Sequence, residues 1–163
     1  MTMQEQVDRA YRLAYRLAYP IAWCWWRLHG RHRCVTIAVW LGDTVLAVRH
    51  SYKSGLRLPS GGIEKREDHH EAAVRELREE VGVIIDPAQL RLVALVRSPP
   101  FLTHLYEARV ETKPELVIDG REIIEARFIP PTLLEEMRPR SKIGPYIYKP
   151  SAKGDPRLPA AKS

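Results

Sequence analysis

Residues 61–83 read GGIEKREDHHEAAVRELREEVGV. Glu76, Glu79 and Glu80 stand at i, i+3 and i+4, so at about 100° per residue their carboxylates share one face of a helix. Like charges at this spacing repel by roughly a few tenths of a kcal/mol per pair. A hard divalent cation among the oxygens removes that repulsion, and carboxylates are the ligands such cations take. Val74, Leu77 and Val81 form the opposing apolar stripe, which lets the helix bury one side and hold its acids over a cleft. Asp68 followed three residues later by Glu71 is a capping-box pattern, and Gly82 stands where a left-handed C-terminal stop is expected. Arg75 adjoins Glu76 and is within reach of Glu67 in the preceding loop, a pairing that ties loop to helix.

Read as one string, Gly61, Glu67, Arg75, Glu76, Leu77, Glu79, Glu80, Gly82 and Val83 satisfy G-x5-E-x7-R-E-U-x-E-E-x-G-U at every fixed position, U being bulky aliphatic. The string resembles the signature of the Nudix hydrolases, enzymes that cleave a nucleoside diphosphate linked to another group, X. The preceding RHSYKSGLRLPSG (49–61) is similar to that family's approach to its signature. The resemblance covers residues 34–137 and implies an α/β/α sandwich around a mixed β-sheet. Residue by residue, it implies Glu79 and Glu80 as ligands of Mg²⁺ or Mn²⁺, and Glu76 as a further ligand or as the base that activates water. Arg75 would orient Glu76, and Glu67 would hold Arg75. A backbone carbonyl at the glycine turn, near Ser60 and Gly61, completes the coordination in the family. Glu122 is the first alternative for the base.

Elementary chemistry supports the same reaction. Attack of water on a diphosphate requires a cation to neutralise the phosphate oxygens and to lower the water's pKa. In-line displacement at phosphorus needs positioning and charge stabilisation rather than a covalent nucleophile, and the chain carries no nucleophile elbow. Two positions depart from the family's common sequence. Ser60 stands where glycine is usual, and Arg66 replaces the glycine that often precedes the loop glutamate. Arginine tolerates positive φ poorly, so an altered turn at 65–67 is expected, in preference to Arg66 reaching the cleft.

Composition frames the rest. The 163 residues suit one domain with extensions, and 45% apolar content suffices for a core. Cys24 and Cys34, with no secretory signal, indicate a reducing, cytoplasmic compartment without a disulfide. The net charge of +6 suggests nucleic acid at first. However, residues 34–137 hold 13 basic and 17 acidic side chains, so the excess of positive charge belongs to the two ends. The segments CVTIAVWL (34–41) and TVLAVRH (44–50) read as a hairpin through Gly42-Asp43. Residues 90–98, 103–111 and 123–129 read as further strands, and a second helix is expected from about Thr132 to Met137, with Pro130 and Pro131 at its start.

Residues 1–33 read as a basic amphipathic extension, with Arg9, Arg12 and Arg16 on one face, Leu13 and Leu17 on another, and Trp23, Trp25 and Trp26 following Pro20. The leading expectation is that its apolar stripe packs on the domain or on a second subunit as a homodimer contact. The alternative is an anionic membrane surface, which would make the protein membrane-peripheral. The extension is too short and too charged to span a bilayer. Cys24, His29, His32 and Cys34 match no zinc spacing. Residues 138–163, basic and proline-rich, are expected to be disordered.

For the substrate, a nucleotide-type small molecule is expected, ADP-ribose-like or a dinucleotide. Pro99 lies 16 residues after Val83, a spacing the family associates with ADP-ribose hydrolysis, and SPPF resembles its NADH-cleaving members. A 5′-triphosphorylated RNA is the second candidate, suggested by the basic ends. A non-catalytic nucleotide-sensing domain is the third, against which the intact acids weigh.

Overall fold

The computed structural model describes residues 2–28, 32–137 and 142–147. Its centre is a mixed sheet of β1 (His32–Leu41), β2 (Thr44–His50), β3 (Ser60–Gly62), β4 (Arg91–Ser98), β5 (Phe101–Val110) and β6 (Ile123–Ile129). The order is β4-β5-β1-β2-β6, with β3 paired to β1. β1 and β5 run parallel while the other pairings are antiparallel. β1 begins two residues before the expected Cys34, because His32 and Arg33 pair with Phe101 and Leu102. The hairpin through Gly42-Asp43 forms as read, with Gly42 at φ +57°.

Helices cover both faces, which makes the α/β/α sandwich. On one face α2 (His69–Val81) buries Ala72, Ala73, Leu77 and Val81 against Val35, Ile37 and Val48. On the other, Leu134 of α3 (Pro131–Met137) and Ile147 of α4 (Gly144–Ile147) pack on Ala38, Val45 and Leu105. The expected disorder of 138–163 therefore does not extend to residues 142–147, because Ile147 finds an apolar site in this second core. Residues 138–141 and 148–163 lie outside the described residues.

Both ends of α2 follow the sequence. Asp68 accepts from the His70 N–H, Glu71 reaches back to the Asp68 N–H, and Gly82 stops the helix at φ +71°. The turn before it holds a correction. Arg66 adopts φ +72°, the left-handed conformation that glycine takes freely, so the turn keeps its shape and the arginine absorbs the strain. Its side chain is exposed. Left-handed backbone costs a non-glycine residue about 1–2 kcal/mol, partly offset by glycine's greater unfolded-state entropy. Arg66→Gly is therefore expected to raise the melting temperature by about 1–4 °C, measured by calorimetry on the two proteins.

The N-terminal extension differs most from expectation. α1 (Met3–Leu28) continues through Pro20. Its polar face, not its apolar stripe, meets the domain. Arg12 donates to the Gly120 carbonyl at 2.8 Å, Arg16 to the Ser51 carbonyl at 2.9 Å, and Asp8 pairs with Arg121 at 2.9 Å. Tyr15 and Tyr19 pack on Tyr52, with ring centroids 5.7 and 4.9 Å apart. Leu13 and Leu17 face solvent, so the stripe does not pack on the domain. Among the described residues, no helix is long and apolar enough to cross a membrane.

Candidate active site

α2 and β3 form the floor of a cleft of about 1040 Å³, and Gly61, Glu76, Glu79 and Glu80 all line it. Gly61 is required by contact. A Cβ there would stand 1.9 Å from the Glu76 carboxyl carbon, so only glycine lets that carboxylate lie against the turn. Glu67, outside the cleft, accepts a bidentate pair from Arg75, at 2.7 Å from Nε and 3.0 Å from Nη2. The same guanidinium donates to the Gly62 carbonyl, to Glu76 at 2.8 Å and to Glu79 at 3.0 Å. One arginine thus joins the loop, the turn and two acids of the helix.

The acids differ in their surroundings. Glu79 is half exposed. Glu80 is buried, with Oε2 accepting the Ser60 N–H at 3.1 Å and Oε1 3.2 Å from His50 Nε2. Burial holds His50 down to about 4, so the contact joins a neutral imidazole to a carboxyl group and is no ion pair. Burial pushes Glu76 up to about 7, its Arg75 contacts opposing this and the Glu79 and Glu80 charges adding to it. Burial likewise pushes Glu80 up to about 8, with Glu122 contributing.

Glu122 enters the cleft from the loop before β6. Its backbone N–H and those of Arg121 and Ile123 donate to Asp119, and its carboxylate accepts the Tyr52 hydroxyl at 2.7 Å. Tyr52 is in turn packed by Tyr15 and Tyr19, and Lys53 lies 5.0 Å from the rings of both Tyr19 and Tyr52. Reading the sequence had singled out none of His50, Tyr52, Lys53 or Tyr19. The first three lie in the RHSYKSG run before the turn, where their proximity to the acids depends on the β2–β6 pairing.

These residues fit a divalent cation. Three carboxylates of α2 and one from the loop share a cleft with backbone carbonyls at the glycine turn, an all-oxygen donor set of the type Mg²⁺ and Mn²⁺ prefer. Two of the acids are driven toward the neutral form without a cation, which is the state a bound cation would relieve. A second group, Asp68, His69 and His70, brings its ligand atoms within 4.8 Å of one another. It sits at the positive end of α2, where a cation is disfavoured and Asp68 already caps the helix.

Glu76 and Glu80 give the chelated protein a pH dependence. Their folded pKa values lie above the ordinary 4.5, so the folded state holds more protons than the unfolded one, and stability falls as pH rises toward 8. His50, held below its ordinary 6.5, opposes this fall only below about pH 6.5. In EDTA the melting temperature is expected to drop between about pH 6.5 and 8.5, and added Mg²⁺ should raise it more at the upper pH. A rising melting temperature in EDTA over that interval would contradict the burial of these carboxyl groups.

A mixed sheet between helical layers, with an acidic helix turned onto a glycine turn, is the arrangement of a Nudix domain. Residues 30–148 match the family model described as NUDIX domain, and the chain belongs to that family. It is similar to an RNA pyrophosphohydrolase of Dinoroseobacter shibae, 32% identical over 88 residues that make up 52% of this chain and 49% of that protein. The match thus spans about half the relative's length. Among solved structures it resembles a bifunctional NMN adenylyltransferase/ADP ribose pyrophosphatase from Francisella tularensis complexed with AMP and a manganese ion. The TM-score is 0.63 at 19% identity, covering 84% of this chain and 45% of that one. A C. elegans Ap4A hydrolase complex gives 0.61 at 17% identity, covering 71% and 93%. At these identities the structural likeness is one of fold.

Proposed function

We propose that this chain is a Mg²⁺- or Mn²⁺-dependent pyrophosphohydrolase that cleaves a diphosphate bond in a nucleoside diphosphate derivative. The observation that carries the reading is the convergence of Glu76, Glu79, Glu80 and Glu122 on one cleft beside the Gly61 turn. Glu79 and Glu80, with the Gly61 carbonyl, would hold the cation, and Glu76 would be a further ligand or the base. The cation supplies charge neutralisation at the phosphate oxygens and a lowered water pKa. Arg75, fixed by Glu67, holds Glu76 and Glu79 in place, so the acids are positioned before substrate arrives. Glu122, held by Tyr52, is the alternative base.

An ADP-ribose-like molecule or a dinucleotide is the favoured substrate. The cleft lies at the upper end of the roughly 300–1,000 Å³ range of small-molecule sites, enough for two nucleotide-sized halves. Tyr19, Tyr52 and Phe101 offer flat apolar faces on its walls. Ser98 and Phe101, which bracket Pro99-Pro100 in the β4–β5 turn, also reach it. RNA carrying a 5′-triphosphate is the second reading, favoured by the similarity to an RNA pyrophosphohydrolase. A cytoplasmic enzyme accords with the two free cysteines.

The test is incubation with Mg²⁺ and a panel of ADP-ribose, NADH, dinucleoside polyphosphates, nucleoside triphosphates and triphosphorylated RNA. Mg²⁺-dependent cleavage of ADP-ribose or a dinucleotide is expected. Pyrophosphate released from RNA alone would select the second reading, and binding without cleavage would assign a nucleotide-sensing domain.

A further inference from the structure

Turned outward from the domain, α1 carries a regular apolar seam. Met3, Val7, Ala10 and Ala14 continue through Leu17, Ile21, Cys24 and Leu28 at alternating steps of four and three, the spacing of a two-helix seam. All eight are exposed, Met3, Ile21 and Leu28 by more than 70%. The helix is roughly 39 Å long at 1.5 Å per residue. A stripe about 10 Å wide along it covers about 400 Å², within the range of the largest apolar patch on a typical monomer, a patch that is often functional. The contacts to the domain come from the opposite face and are mostly polar. Burial of an amphipathic face is what normally stabilises a helix, and here that face is open.

We propose that α1 pairs antiparallel with α1 of a second copy of this chain, forming a two-fold dimer through this seam. Full overlap sets Ala10 opposite Ile21, Ala14 opposite Leu17, Val7 opposite Cys24 and Met3 opposite Leu28. Two of these layers join a small side chain to a large one, the alternation that fills an interhelical space. Parallel pairing stacks Ala10 and Ala14 on themselves and Leu17, Ile21 and Leu28 on themselves.

Charge argues for a helix over a membrane. An interfacial helix directs lysine and arginine to headgroups, whereas Arg12 and Arg16 are turned into the domain and bonded to carbonyls. Gln4, Gln6, Tyr11, Leu13, Ala18 and Trp25 beside the seam are uncharged, and Arg27 is the one cation at a flanking position. Residues 34–137 hold more acids than bases and are repelled by an anionic surface. Residues 148–163 contain only Tyr148 and Leu158 as large apolar side chains, too few to cover the stripe.

Sedimentation equilibrium of the full chain at about 10–200 µM tests the pairing. The native protein is expected at twice the 18.8 kDa chain mass, and Leu17→Glu/Ile21→Glu at the chain mass with the domain's fold retained by circular dichroism. Oxidation of Val7→Cys, through native Cys24, is expected to give a covalent dimer that the native chain forms at least tenfold more slowly. That second measurement stands if the charged variant misfolds. A native monomer throughout the range, a dimer that survives both glutamates, or rapid cross-linking through Cys24 alone overturns the proposal. A native monomer that floats with phosphatidylserine vesicles, and loses this in the charged variant, assigns the seam to a membrane instead.

Discussion

Glu76→Gln is expected to lower kcat by roughly 10² to 10⁴, the contribution of a positioned general base, while the fold and melting temperature stay near native. Glutamine keeps the side chain's shape and can still accept from Arg75 Nη1, 2.8 Å from Glu76 Oε1. What it loses is the charge and the proton-accepting lone pair. Burial raises the Glu76 carboxyl to about 7 in the cation-free protein, and a bound cation would lower it, keeping the carboxylate ionised and able to accept a proton. Gly61→Ala is expected to reproduce most of the loss, since its Cβ would enter the space of the Glu76 carboxylate. Steady-state kinetics on the substrate identified by the panel checks both. A loss below threefold in Glu76→Gln moves the base to Glu122, which Tyr52 orients toward the same cleft.

Arg75→Ala is expected to damage stability and activity together. The guanidinium is mostly buried among Glu67, Glu76 and Glu79, and its removal leaves Glu67 and Glu76 as buried carboxylates without their cation. Breaking such a pair from one side costs about 3–5 kcal/mol when fully buried. Partial exposure of these groups brings the expectation to about 2–4 kcal/mol, or roughly 5–15 °C in melting temperature. Activity should fall at least as far as in Glu76→Gln, because two acids lose their anchor at once. Glu67→Gln is the milder control, since an amide oxygen can still accept from Arg75. A melting temperature within about 2 °C of native in Arg75→Ala would show that the network is solvated and not structural.

How far the sequence discloses this site follows from how local each interaction is. The capping box, the Gly82 stop and the shared face of Glu76, Glu79 and Glu80 depend on residues within one or two helical turns, so spacing alone reveals them. The Arg75 to Glu67 link spans eight residues and one loop, and was within reach of the same reading. The His50 to Glu80 contact depends on how a strand and helix pack, and the Tyr52 to Glu122 bond crosses the β2–β6 pairing. No local period encodes either. α1 misled for a different reason. Its apolar stripe was evident, but period alone does not say which face meets the domain. Arg12 and Arg16 supply hydrogen bonds to domain carbonyls and leave the leucines outside.

Binding of Mn²⁺ to the substrate-free protein, followed by the loss of the free-ion electron paramagnetic resonance signal, examines the cation site without knowledge of the substrate. Saturable binding is expected in the native protein, with affinity weakened at least tenfold in Glu79→Gln and in Glu80→Gln while both variants keep the native circular dichroism. Native binding undiminished in both variants would contradict the assignment of the cation to this cleft.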